Sequence, residues 1–236
     1  KGYIIMIIVI SGATGGVGTA IANFFSSNGY NTVLLGRDVE KLNDLSESIK
    51  SKYGTYSNYY FCDANNQNSI EDCINKVSIK YDQLDMLINV AGVFPYGLAT
   101  DLSGELYDEC MDVNLKLPFL LSTGMFNSLK KNKGGKIINI GSSSAYAGFK
   151  NTAIYCASKH ALLGLSRSLN DEWKEFGVTV HCVSPGTIDT SMADVLEQDR
   201  STYIDTDEFA QLIYDVASYN GNMLVEEVRA TRRGVR

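Results

Sequence analysis

The chain has 236 residues, 44% of them hydrophobic and 20% charged, with a formal net charge of −6 at neutral pH. That length allows one large α/β domain with a real core, and the composition excludes disordered, collagen-like and coiled-coil chains. The acidic balance argues against nucleic-acid or anionic-membrane partners, while 21 Gly against 3 Pro points to backbone that must approach something closely.

The first apolar run, 3–10 (YIIMIIVI), is too short to span a bilayer and meets glycines rather than a cleavage site, so it reads as a buried strand. Met6 would suit a native start, which would leave residues 1–5 as upstream or added sequence. Further strands are predicted over 31–36, 57–62, 84–90, 135–141, 178–184 and 223–229. Helices are predicted over 16–28, 38–52, 67–81, 103–131 with a break around Pro118, and 153–176, the last marked by Leu162, Leu165, Leu169 and Trp173. No linker, repeat or low-complexity stretch interrupts the alternation, so one domain over 1–236 is expected. Near-continuous apolar strands separated by helices predict an α/β fold, a doubly wound parallel seven-stranded sheet covered on both faces. Its ligands should bind beyond the carboxyl ends of the strands. Five scattered Cys without a CxxC pair read as thiols in a reducing cytoplasm.

Directly after the first strand, SGATGGVG places Gly12, Gly16 and Gly18 in a GxxxGxG spacing at the start of a helix. Glycine suits a place where a pyrophosphate must reach backbone N–H groups at a helix N-terminus, and Ser11, Thr14 and Val17 belong to the same loop. The second strand ends in Gly36, Arg37 and Asp38. An acid at that strand end would take the ribose 2′-hydroxyl of NAD, whereas Arg37 accommodates a 2′-phosphate, so NADP is preferred; Asp38 keeps NAD open. Asp63 after the third strand offers a carboxylate near an adenine amino group, and the NVAG run after the fourth (Asn89, Ala91, Gly92) is small enough for a cofactor to lie against.

YCASK sets Tyr155 and Lys159 at i and i+4 on one helical face, where an ammonium favours the phenolate and makes Tyr155 a general acid/base. Ser142 ends the fifth strand thirteen residues earlier. His160 and His181 read as helix neighbour and strand residue, and no metal site is indicated, because no His, Cys and carboxylate cluster has ligand spacing.

In this order and spacing the motifs resemble those of the short-chain dehydrogenase/reductase family: the TGxxxGxG-type loop beginning here with Ser11, NVAG for NNAG, Asn114 in VNL, Ser142, YxxxK, and Pro185-Gly186 with Thr190 in SPGTIDT. The resemblance implies an oxidoreductase that moves hydride between nicotinamide and a carbonyl or alcohol. Tyr155 would transfer the proton, Ser142 would hold the carbonyl oxygen, and Lys159 would lower the Tyr pKa and bind the nicotinamide ribose. Asn114 would support a water through its backbone. Pro185, Gly186, Ile188 and Thr190 would shape and hold the nicotinamide side. The resemblance further implies a homodimer or homotetramer.

For the substrate, a small ketone, aldehyde or 3-hydroxy acid, the expected pocket is Phe94, Tyr96, Tyr146, Phe149 and Met192, covered by a mobile lid over 191–206. A second reading, 3-oxoacyl-carrier-protein reductase, is disfavoured by Asp171, Glu172 and Glu175 where an acidic carrier would dock and by a tail without a VxGG-type ending, although Lys130, Lys131 and Lys133 could assist. A third, a non-catalytic dinucleotide sensor, is disfavoured by the joint presence of Ser142, Tyr155, Lys159 and Asn114.

Overall fold

The computed structural model describes residues 6–132, 134–196 and 198–233. Seven strands, β1 (Ile7–Ser11), β2 (Asn31–Gly36), β3 (Ser57–Phe61), β4 (Met86–Asn89), β5 (Lys136–Ile140), β6 (Thr179–Pro185) and β7 (Glu227–Ala230), form one sheet in the order β3-β2-β1-β4-β5-β6-β7. Every pair is parallel. The doubly wound α/β sheet expected from the alternation is therefore present, with the order reversing between β1 and β4.

The strands alternate between two cores. Ile8 and Ile10 face α1 (Gly16–Ser27), α2 (Val39–Tyr53) and α7 (Thr206–Ser218), packing with Phe25, Leu42 and Phe209. Val9 and Leu87 face α3 (Gln67–Lys80), α5 (Leu117–Lys131) and α6 (Ala153–Trp173), packing with Val77, Leu121 and Trp173. A fully buried side chain of this kind contributes roughly 1.5–3 kcal/mol, so strands apolar on both faces can only lie in the middle of a covered sheet. All five cysteines are buried and unpaired by disulfide. Among the described residues no helix is long and apolar enough to cross a membrane.

Three expectations change. The long 103–131 helix is not broken at Pro118: α4 (Gly104–Met111) passes through a π-helical turn (Asp112–Lys116) directly into α5. Pro118 lies in the first turn of α5, where a missing N–H costs little once the wider turn has released the ladder. The last strand starts at Glu227 rather than Met223, because pairing with β6 begins only at Cys182↔Glu227; Met223 and Leu224 stay exposed. Helix α7 was not expected, yet Phe209, Ala210, Ile213, Val216 and Ala217 form its buried stripe and Asp205 caps it. The part of the first predicted strand before Met6, and the question of residues 1–5, lie outside the described residues, as does Lys133.

Candidate active site

The carboxyl ends of the strands open on one cleft of about 1010 Å³. Its wall at the β1 end is the glycine loop. Gly12 has φ +66, and a Cβ there would stand 2.6 Å from the Ala91 Cα; a Cβ on Gly18 would stand 2.2 Å from the Gly12 carbonyl oxygen. The first turn of α1 has no side-chain cap, whereas Asp38, Asn66, Ser103 and Asp205 cap α2, α3, α4 and α7. Its unclaimed N–H groups and positive dipole end therefore lie at the cleft wall, which is what a diphosphate needs. Ser11 accepts hydrogen bonds from the backbone of Val90 (3.2 Å) and Ala91 (3.5 Å), tying the β4 end to this loop. Ser11, Gly12, Thr14, Gly16, Val17 and Gly18 all line the cleft, as do Ala91 and Gly92.

At the β2 end Arg37 is exposed on the cleft wall. Asp38 is already engaged: its carboxylate accepts from the Lys41 backbone (3.1 Å) and pairs with the Lys41 ammonium (3.0 Å), which together hold its carboxyl below the usual range. Asp38, the acid that keeps a ribose role open, thus also caps α2.

Ser142, Tyr155 and Lys159 meet at the cleft below β5. Ser142 caps the turn Ser143–Ala145, accepting from the Ser144 backbone at 3.1 Å, which fixes its hydroxyl. The Tyr155 ring stands edge-on to Phe94, centroids 4.7 Å apart. Lys159 is 5% exposed; its ammonium donates to the Ile140 carbonyl at 2.8 Å and lies 5.7 Å from the Tyr155 ring centroid. Burial pushes the Tyr155 phenol up to about 12, opposed by the Ser142 hydroxyl, and pushes Lys159 down to about 8. For both groups the loss of water on burial is the largest cause, and at Tyr155 it exceeds the opposing hydrogen bond with Ser142.

Asn114 does not reach the cleft. It lies in the π turn, fully buried, with Oδ1 accepting from the Val93 N–H (2.9 Å) and Nδ2 donating to the Val93 carbonyl (3.0 Å) and the Ser158 hydroxyl (3.0 Å). It clasps the loop after β4 to the helix that carries Lys159. Gly92 borders both groups: a Cβ there would be in ordinary contact with the Asn114 Oδ1 (3.4 Å) and the Lys159 ammonium (4.0 Å).

Asn89 and Asp63 are not in the cleft wall. The Asn89 side chain points into the sheet, donating to Asn139 (2.8 Å) and Ser122 (3.4 Å). Asp63 accepts from the Asn65 N–H in a local turn, and its neighbours Cys62 and Ala64 line the cleft instead. Pro185, Gly186, Ile188 and Thr190 line the far wall, and a Cβ on Gly16 would meet the Thr190 methyl at 3.0 Å, bringing the two walls together.

Of the expected pocket, Phe94, Tyr96, Phe149 and Met192 line the cleft. Tyr146 does not: its hydroxyl donates to Glu227 (2.9 Å) and Arg229 covers its ring. The 191–206 segment holds two short 3-10 turns, Ser191–Ala193 and Arg200–Thr202, and is fastened by Arg200 to Asp189 and Asp194 and by a bridge between Ile188 and Ile204. Lys41, Lys150, Gln198 and Arg232 line the cleft and were not expected. Arg232 could have been found, because it follows the last strand as functional residues of this sheet should.

Three comparisons place the chain among known proteins. A family model described as short chain dehydrogenase matches residues 6–201. The chain is 36% identical to the 3-oxoacyl-[acyl-carrier-protein] reductase FabG of Rickettsia felis over 190 residues, 80% of this chain and 76% of that one. It is also 36% identical to an uncharacterized oxidoreductase of Thermotoga maritima over 181 residues, 77% and 71% of the two chains. Among solved structures it resembles a metagenomic short-chain oxidoreductase in complex with NADP (TM-score 0.84, 29% identity, 96% of each chain). The fold is shared with an alcohol dehydrogenase of Thermococcus sibiricus (TM-score 0.90, 24% identity, 98% of each chain).

Proposed function

Because the chain belongs to the short-chain dehydrogenase family, we propose that it reduces small carbonyl compounds with NADPH, and oxidises the corresponding alcohols with NADP, using Tyr155 as general acid/base. The observation that carries this reading is the convergence of Ser142, Tyr155 and Lys159 on the same cleft as the uncapped start of α1. When bound, the nicotinamide supplies or accepts the hydride. The chain's own part is proton transfer and positioning. A phenol held protonated by burial donates to the carbonyl oxygen as that oxygen gains charge, and Ser142 donates a hydrogen bond to the same oxygen. Lys159, with one N–H on the Ile140 carbonyl, keeps donors for the cofactor ribose and a positive charge beside the phenolate that forms. Asn114 acts as a positioning residue behind Lys159 and the β4 loop. The segment 191–206 would cover the substrate.

This arrangement sets a pH dependence. The phenol carries its proton below about 12, but Lys159 carries its charge only below about 8. Reductive kcat/KM should therefore hold at neutral pH and fall as pH rises through the Lys159 value; a steady-state profile that stays flat to well above it would contradict the role given to Lys159.

Two findings support NADP. Arg37 is exposed at the end of β2, while Asp38, the acid that lines the cleft beside it, caps a helix, and a 29% identical protein was solved with NADP. An exposed charge-assisted contact of this kind is worth roughly tenfold in affinity. Arg37→Ala should weaken NADPH binding by about that factor and NADH binding much less, measured by fluorescence titration. Equal losses would remove the assignment.

The similarity to FabG favours the carrier-protein substrate as a second reading. Its docking surface is poor here. Lys131 pairs with Asp82, Lys130 lies over the Phe176 ring at 4.1 Å, and Asp171 engages the neighbouring Lys174. Including a 3-oxoacyl thioester in the substrate panel separates the two readings.

A further inference from the structure

The chain is acidic, but the cleft is not. The charged side chains in its wall are Arg37, Lys41, Lys150, Lys159 and Arg232 against a single carboxylate, Asp38, which Lys41 neutralises. Arg37 and Lys41 belong to the adenosine end and Lys159 to the proton-transfer centre. Arg232 belongs to neither. It follows β7, five strand positions from β2 in the sheet order, a separation of about 24 Å at the usual strand spacing. A phosphate held by Arg37 is out of its reach.

The Arg232 side chain is also held in place. It lies against the end of β6, beside Gly186: a Cβ there would stand 3.4 Å from the Arg232 Cγ, at ordinary contact distance. Its Nη1 donates to Gln198 Oε1 (3.0 Å) and Thr202 Oγ1 (3.2 Å), and the guanidinium stands 5.7 Å from the Tyr203 ring centroid. Both acceptors are neutral. Arg167 and Arg200, by contrast, pair with carboxylates, and no carboxylate lies within ion-pair distance of Arg232 among the described residues. A partly buried guanidinium oriented by neutral oxygens keeps its charge and a free edge for a planar anion. Lys150, exposed on the mouth of the same cleft beside Phe149, adds positive potential at the entrance.

Resting on the carbonyl-reductase reading, we propose that the substrate carries an anionic group, a carboxylate or a phosphate, and that Arg232 receives it. The turnover of the two kinds of compound then differs by a charge-assisted contact that the neutral kind cannot make.

The test compares two matched pairs in the oxidative direction with NADP: 3-hydroxybutyrate against its methyl ester, and glycerol 3-phosphate against glycerol. Wild-type enzyme should prefer the anionic member of at least one pair by roughly ten- to a hundredfold in kcat/KM, the size of a charged hydrogen bond, and the pair that shows it identifies carboxylate or phosphate. Arg232→Gln should bring that ratio close to one, and Arg232→Lys should restore part of it. Equal or better turnover of the neutral members by wild type, or an unchanged ratio in Arg232→Gln, would overturn the assignment. Absence of turnover with every alcohol and carbonyl tried, despite NADPH binding, would instead remove the oxidoreductase reading on which it stands.

Discussion

Replacing Tyr155 by phenylalanine is expected to lower kcat for carbonyl reduction by about 10²–10⁴-fold, the usual contribution of a positioned general acid. The substitution deletes one hydroxyl and leaves the ring that packs edge-on against Phe94. The fold and the cofactor wall, built from the β1 and β4 loops, are untouched, so NADPH should still bind within a few-fold of wild type. A loss of turnover without a loss of binding separates proton transfer from every structural cause. Comparable turnover by the variant would place the proton donor elsewhere.

The second large effect is expected from Gly12→Ala. Alanine at φ +66 carries a backbone penalty of about 1–2 kcal/mol, and its Cβ would overlap the Ala91 backbone, which is main chain and cannot swing away. Overpacking of that kind adds roughly 1–3 kcal/mol. The midpoint of thermal unfolding should fall by about 5–15 °C for a chain of this size, and NADPH affinity should fall with it because the β4 loop is displaced. Gly29→Ala is the control. Gly29 has φ +86 but nothing within 4 Å of its Cβ position, so it should show the backbone penalty alone and keep NADPH affinity. If the two variants behave alike, the close approach of Gly12 to Ala91 has no role.

The fold was legible because its strands announce themselves twice, as apolar runs and as punctuation by glycine or polar residues. Parallel strands buried on both faces need no alternation, and β1, β2, β4, β5 and β6 all carry that signature. The harder cases have physical reasons. Residues 223–226 are as apolar as a strand, but pairing needs a neighbour, and β6 offers one only from Cys182. Around Pro118 the residue type predicts an interruption, whereas a five-residue π turn absorbs it within a continuous helix. Helix α7 has a plain stripe and cap, but it follows directly on a polar stretch with few apolar anchors, and its own cap, Asp205, belongs to that stretch.

At the site, spacing located Ser142, Tyr155 and Lys159 in one cleft, since the strand end and the i, i+4 relation are both local. Side-chain direction was not legible. Asn89 sits in a motif that suggests contact with a ligand, yet its side chain turns inward to Asn139, and the side chain of Asn114, expected to act through its backbone, clasps Val93. Arg232 lies far from every motif in sequence and joins the cleft only through the position of β7 at the sheet edge.

The central claim is that this cleft couples nicotinamide oxidation to carbonyl reduction. It is tested most directly by following the absorbance of NADPH with wild-type enzyme against a panel of ketones, aldehydes, oxo acids and 3-oxoacyl thioesters at neutral pH. The account predicts carbonyl-dependent loss of NADPH absorbance with at least one small compound, faster than with NADH. Tight binding of NADPH with no oxidation by any carbonyl would contradict it and leave a dinucleotide-binding protein without the chemistry.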